Sequence, residues 1–132
     1  MAMKWKILVA DDDPIMRELL RVLLTKAGYD VIFAEDGQSA VEMAISEKPD
    51  LVLSDGLLPK IHGFLVCQAI KQFCNPPKVI LLTGIYTKPA YKWEAKIIYG
   101  ADDWLTKPFN AATLLDCIEK HLSDLPLKEA IA

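Results

Sequence analysis

The sequence predicts an α/β fold: a doubly wound (βα)5 sandwich on a five-stranded parallel sheet in the order 2-1-3-4-5. Three observations predict it. Short apolar runs alternate five times with segments whose apolar residues recur every three or four positions, the signature of strand and helix in turn. The runs are apolar throughout, as strands buried on both faces are. The connections are short, which suits right-handed crossovers. Five such units commonly take this order, with the switch point between strands 1 and 3. The expected domain covers 1–124, and 125–132 is expected to be a tail or the start of a linker.

Lys6–Ala10 (KILVA) is the first apolar run, and Asp11-Asp12-Asp13-Pro14 follows it at once. Asp13 can cap a helix and Pro14 suits its first turn. Ile15, Met16, Leu19, Leu20, Leu23 and Leu24 keep the helical period, and Gly28 closes that helix. Val31–Ala34 is the second strand. Asp36-Gly37 punctuates, and Ala40, Val41, Ala44 and Ile45 mark the second helix. Pro49-Asp50 leads into Leu51-Val52-Leu53, which ends in Ser54-Asp55-Gly56. Gly56 is expected to let the backbone turn sharply, and Pro59 blocks a quick return to regular structure. Asp55 is thereby placed at the carboxyl end of a central strand.

The third helix carries Leu65, Val66, Ala69, Ile70 and Phe73 and stops before Asn75-Pro76-Pro77. Val79–Leu82 is the fourth strand and ends at Thr83-Gly84. A fourth helix is expected from near Lys88-Pro89 to Gly100, and a short fifth strand within Ala101–Thr106, followed by Lys107-Pro108. Asn110 caps a last helix bearing Leu114, Leu115, Ile118 and Leu122.

Composition narrows the function. A net charge of −3 argues against nucleic-acid binding by this domain. A hydrophobic share of 52% is enough for a full core. No apolar run approaches the roughly 18 residues of a membrane span, and MAMKWK has no apolar h-region, so no secretory signal is expected. Met1-Ala2 reads as a cloning remnant. Cys67, Cys74 and Cys117 show no metal spacing and are odd in number. That points to a reduced, cytoplasmic protein with cysteines serving as small buried hydrophobes, Cys67 and Cys74 falling on one face if their segment is helical.

The topology gathers polar groups at one edge of the sheet: Asp11 and Asp12 after strand 1, Asp55 after strand 3, Thr83 after strand 4 and Lys107 after strand 5. Carboxylates brought this close repel and raise one another's pKa. Lys107 supplies one compensating charge, so a divalent ion is expected. Oxygen donors without histidine or thiolate favour Mg2+. Thr83 offers a hydroxyl and Lys107 an ammonium, both suited to phosphate oxygens. A nucleophilic carboxylate, a metal and two phosphate-binding groups are the parts needed to form an aspartyl phosphate.

Taken together, ILVADDDPIMRELL, DLVLSDGLLPKIHG, VILLTG and GADDWLTKPF resemble, in order and nearly in spacing, a bacterial two-component response-regulator receiver domain, of flavodoxin-like fold. The resemblance implies that Asp55 is phosphorylated, and that Asp11, Asp12, Asp55 and the backbone oxygen of Leu57 hold Mg2+, with Asp12 the more direct ligand. It implies that Thr83 and Lys107 grip the phosphoryl group, that Trp104 stands at an aromatic switch position, and that Pro108 follows a cis bond. The phosphoryl donor would be a sensor histidine kinase or phosphotransfer protein. The chain would be a phosphoacceptor that promotes its own phosphorylation and dephosphorylation, not an enzyme, with a homodimer possible through helix 4, strand 5 and helix 5.

Competing readings are weaker. Asp11 as a helix cap loses to the better-placed Asp13. Trp104 as plain core or interface stays open. His62, where an acidic residue is usual, reads as a solvated loop residue. A Mg2+-dependent phosphatase normally has a second acid two residues after the nucleophile, where this chain has Leu57. A flavin binder would not place Asp11-Asp12-Asp13 against a phosphate. A pseudo-receiver that has lost phosphorylation sits poorly with an intact set of site residues. Gly56 and Leu57 leave the lifetime of the acyl phosphate open. The stretch from Gly84 to Gly100 is longer than in many relatives and holds Tyr86, Tyr91, Trp93 and Tyr99, read either as an interface or as partly inward-packed.

Overall fold

In a computed structural model, residues 4–84 and 89–126 are described, without the side chains of 89–92. Met1-Ala2, the helix start at Lys88, Tyr86, the Tyr91 side chain and the tail beyond residue 126 lie outside the described residues. The strands are β1 (Lys6–Ala10), β2 (Asp30–Ala34), β3 (Leu51–Asp55), β4 (Lys78–Thr83) and β5 (Asp103–Thr106). The helices are α1 (Pro14–Lys26), α2 (Gly37–Glu47), α3 (Gly63–Ile70), α4 (Pro89–Ile97) and α5 (Ala111–Ser123). The sheet order is β2-β1-β3-β4-β5, with all four pairings parallel, as predicted.

Two cores flank the sheet. Leu8, Val52, Val79 and Leu81 face α2, α3 and α4 through Ala40, Ala44, Val66, Ile70 and Ala95. The intervening residues Ile7, Val9, Leu53, Ile80 and Leu82 face α1 and α5 through Leu20, Leu24, Leu114 and Ile118. This is why the strands are apolar at every position. Each large aliphatic side chain so buried contributes about 1.5–3 kcal/mol.

The caps follow the sequence. Asp13 Oδ1 accepts from the Ile15 N–H at 2.9 Å, Asp36 Oδ1 from Ser39 at 2.8 Å and Asn110 Oδ1 from Thr113 at 2.7 Å. Gly28 ends α1 at φ +96°, a conformation that favours glycine.

Several expectations need correction. The α1 stripe is wider than the face α1 buries: Leu20 and Leu24 turn inward, while Ile15 is 78% exposed and Leu19 lies in the open with it. Helix α3 stops at Ile70, three residues before Phe73, where i→i−3 bonds from Gln72 and Phe73 tighten the chain out of the helix. Cys74 is therefore off the helix and exposed, while Cys67 and Cys117 are buried; burial pushes the Cys67 thiol up to about 12. His62 is not simply solvated. It caps α3, its Nδ1 accepting from the Phe64 N–H at 3.3 Å, and its ring meets Phe64 edge-on at 5.2 Å.

Candidate functional site

The strand ends set the site. Ala10 pairs with Ser54, Asp55 with Leu82 and Thr83 with Thr106. The residues just past those pairs, Asp11, Gly56, Gly84 and Lys107, therefore emerge side by side. The Lys107 N–H donates to the Thr83 carbonyl at 2.8 Å, which carries the register one residue beyond β5. The Lys107-Pro108 bond is cis.

Here Asp11, Asp12 and Asp55 each bring a carboxylate oxygen within 4.8 Å of the others. Lys107 Nζ lies 3.1 Å from Asp11 Oδ2 and 3.5 Å from Asp55 Oδ2. Asp11 is buried and its Oδ1 accepts from the Asp13 N–H at 2.9 Å, so both of its oxygens are engaged. Asp12 is exposed. Asp55 Oδ1 accepts from the Leu57 N–H at 3.2 Å. Burial pushes the Asp55 carboxyl above the usual carboxylate range. The Lys107 ammonium and the Leu57 N–H pull it back, and the Asp11 charge adds to the rise. An open cleft of about 370 Å³ lies over these groups, lined among others by Asp12, Asp55, Leu57, Thr83, Gly84 and Lys107.

Glycines set the walls. The chain bends at Gly56 as expected, without left-handed backbone, and the glycine also leaves a space: a Cβ there would stand 3.3 Å from Phe64 Cε1 and from Thr83 Cβ. A Cβ on Gly63 would run into the carbonyl oxygen of Asp55, and one on Gly37 into the carbonyl oxygen of Ile61. The loop from Gly56 to His62 is thus clamped between α2 and α3 by backbone contacts that a side chain would prevent. Lys60, in that loop, adopts φ 68° and pairs with Asp36 at 3.3 Å.

The predicted residues Asp11, Asp12, Asp55, Leu57, Thr83 and Lys107 are all brought together at this edge. Trp104 is not in the cleft. It pairs with Leu81, is 4% exposed and packs edge-on against Phe64 with centroids 5.5 Å apart. Tyr99 reaches the same cluster, 5.2 Å from Phe64, while Trp93 is 63% exposed. Sequence reading missed Arg17, whose Nη1 donates to the Asp11 carbonyl at 2.8 Å and whose Nη2 meets Glu35 at 3.4 Å. Its place one turn after the Asp13 cap was the available signal. Gly63 was also missed, though a glycine opening a helix after Asp55 hinted at a close approach.

The donor set is chemically uniform. The three carboxylates are hard oxygen donors, and they suit Mg2+ rather than a thiophilic ion. Among the described residues, no helix is long and apolar enough to cross a membrane.

Comparison with known proteins gives a consistent result. The family model described as "Response regulator receiver domain" matches residues 7–119. The alkaline phosphatase synthesis transcriptional regulatory protein PhoP of Bacillus subtilis is 40% identical over 108 residues, covering 82% of this chain and 44% of that protein. The chain spans about half the length of the curated relatives it matches. The signal receiver domain of a signal transduction histidine kinase from Syntrophus aciditrophicus superposes with TM-score 0.84 at 32% identity, over 97% of both chains. The receiver domain of the sensor histidine kinase PA1611 from Pseudomonas aeruginosa, solved with a magnesium ion coordinated in its active-site cleft, gives TM-score 0.82 at 27% identity, over 92% of this chain and 99% of that one.

Proposed function

The chain belongs to the response regulator receiver domain family, and from that premise we propose that Asp55 accepts a phosphoryl group from a phosphohistidine on a sensor histidine kinase or phosphotransfer protein. Residues 1–124 form the receiver unit in this reading. The observation that carries it is the meeting of Asp55 with Asp11, Asp12 and Lys107 under an open cleft.

Asp12, Asp55, Asp11 and the Leu57 carbonyl would hold Mg2+; the magnesium in the cleft of the PA1611 relative supports this. When bound, the ion supplies positive charge to the phosphoryl oxygens during transfer. Asp11, already held by Lys107 and the Asp13 N–H, leaves exposed Asp12 as the more available ligand. A carboxylate oxygen of Asp55 attacks phosphorus, the P–N bond breaks, and the imidazole of the donor leaves. The Leu57 N–H orients the carboxylate through Oδ1. Such transfer rests on positioning and charge neutralisation more than on bond-making by the protein. Apolar Leu57 at the cleft and Ile15 and Leu19 on α1 are exposed and offer surface for the donor protein.

Lys107 and Thr83 then bind the new phosphoryl oxygens. Each charge-assisted bond contributes about 1.5–3 kcal/mol, and about 5.5 kcal/mol of differential binding swings a two-state protein from mostly off to mostly on. Two bonds therefore supply most of the switch. Because the Trp104 ring already lies inside against Phe64, Thr83 would act on a packed ring and not draw in an exposed one. The output face is α4, β5 and α5, where Trp93, Ile97 and Ile98 are exposed. That face also suits a homodimer.

Acetyl phosphate with Mg2+ tests the reading. Intact-mass spectrometry should show one added phosphoryl group on the wild type and none on Asp55→Asn. A phosphorylated Asp55→Asn protein would sink it. Thr83→Ala should still be phosphorylated but show a reduced change in Trp fluorescence.

A further inference from the structure

A second convergence of ligand-bearing side chains lies away from the cleft. Asp103 on β5 and Cys117 and His121 on α5 bring a carboxylate oxygen, a sulfur and a ring nitrogen within 4.8 Å of one another. The spacing of Cys117 and His121 puts both on one face of α5, one turn apart. His121 Nε2 is 2.8 Å from Asp103 Oδ2, and the Cys117 thiol donates to that same oxygen at 3.4 Å. The other oxygen, Oδ1, accepts from the Trp104 N–H at 2.8 Å, which fixes the carboxylate plane toward α5. His121 and Cys117 are 7% and 9% exposed, and Asp103 keeps an edge to solvent.

We propose that Asp103, Cys117 and His121 bind a divalent transition metal ion of the zinc class. The donors contrast with the all-oxygen set of the cleft: thiolate and imidazole select zinc-like ions, where carboxylates alone select magnesium. A tetrahedral zinc ion with arms of about 2.0–2.3 Å has ligand–ligand edges of roughly 3.3–3.6 Å. The Cys117–Asp103 contact already has that length, and the His121–Asp103 contact needs to open by about half an ångström. The carboxylate and a thiolate neutralise a divalent ion, with water from the Asp103 edge completing the shell. Binding releases the Cys117 thiol proton to solvent. The Trp104 N–H supplies the outer-shell hydrogen bond that orients a metal-bound carboxylate. Lys96, on α4, is a nearby cation acting on Asp103 and opposes the ion's charge, which two anionic ligands outweigh. An ion here would tie β5 to α5 beside Trp104, on the face proposed for output.

Cobalt reports the site directly. The metal-free full chain, with excess Mg2+ present to occupy the acidic cleft, is titrated with Co2+. One equivalent should produce a thiolate-to-cobalt charge-transfer band, which Zn2+ bleaches by binding more tightly. Cys117→Ser should lose the band, Cys74→Ser should keep it, and His121→Ala and Asp103→Asn should weaken Co2+ affinity by about tenfold or more. Circular dichroism checks the fold of each variant, and His121→Ala tests the site independently should Cys117→Ser misfold. No band at one equivalent, a band that survives Cys117→Ser or vanishes in Cys74→Ser, or unchanged affinity in His121→Ala would overturn the proposal.

Discussion

Where the strands begin, Asp102 Oδ2 accepts from Lys71 Nζ at 2.8 Å and from the Val79 N–H at 2.8 Å, with Lys78 Nζ 4.0 Å from its other oxygen, and Asp50 accepts from the Lys6 N–H at 2.8 Å. Where the strands end, Asp11, Asp12 and Asp55 crowd together and Lys107 touches two of them. The same residue types do opposite jobs at the two edges. At the starting edge each carboxylate is matched by donors on neighbouring strands, and the contacts lock the sheet. At the finishing edge negative charge is in surplus, and burial adds to the strain by raising the Asp55 carboxyl. A surplus that folding leaves uncancelled identifies the edge where a cation and an anionic phosphoryl group complete the charge balance.

Breaking the finishing edge by bulk should have the largest effect. A Cβ on Gly63 collides with the Asp55 carbonyl and stands 2.9 Å from the Gly56 Cα, all backbone that cannot swing aside. Gly63→Ala should cost about 3 kcal/mol or more, and phosphoryl acceptance should fall with it because Asp55 is displaced. A urea melt within about 1 kcal/mol of wild type, the centre of the range for ordinary substitutions, would show that the loop yields and that the clamp is unimportant. Next comes the starting edge. Asp102→Ala leaves the partly buried Lys71 ammonium with only the Pro77 carbonyl at 3.1 Å and strands the Val79 N–H, and should cost about 2–3 kcal/mol. Phosphorylation of the folded fraction by acetyl phosphate should be unchanged, which separates the lock from the site.

The contrast between the edges was readable only in part. Asp55, Thr83 and Lys107 were legible because each stands at or one polar residue past the end of an apolar run, and the parallel topology places every strand's end at one edge. Asp13 and Pro14 were legible as helix punctuation. Contacts that depend on distance across the fold were not. The glycine opening α3 hinted at a close approach but not at its partner, the Asp55 carbonyl, and Gly56, where the chain does bend, did not announce the gap it leaves for Phe64 and Thr83. The helical period of Ile15 and Leu19 is the same whether a stripe faces the sheet or a partner, so their exposure could not be seen. Cys117 and His121 share one face of α5, but Asp103 stands on β5 with no spacing that ties it to them, and the tertiary packing of α5 on β5 joins the three.

The smallest effect should be a gain. Asp55→Asn keeps an Oδ1 that can accept the Leu57 N–H, and Lys107 retains Asp11 at 3.1 Å. The change removes a partly buried charge whose ion-pair partner among the described residues is Lys107. With divalent ions chelated at neutral pH, Asp55→Asn should be more stable than wild type by on the order of 1 kcal/mol. Because the folded protein raises the Asp55 carboxyl above its unfolded value, the native state binds the proton more tightly than the unfolded chain. The stability this gives is present at low pH and lost as pH rises through the folded pKa. The wild-type advantage at acidic pH should therefore shrink and reverse toward neutrality, while Asp55→Asn lacks that dependence. Mg2+ should then stabilise the wild type more than the variant, since binding to the native state adds RT ln(1 + [L]/Kd). If Asp55→Asn were the less stable protein at neutral pH without divalent ions, the finishing edge would be a lock like the other, and the charge surplus would lose its meaning.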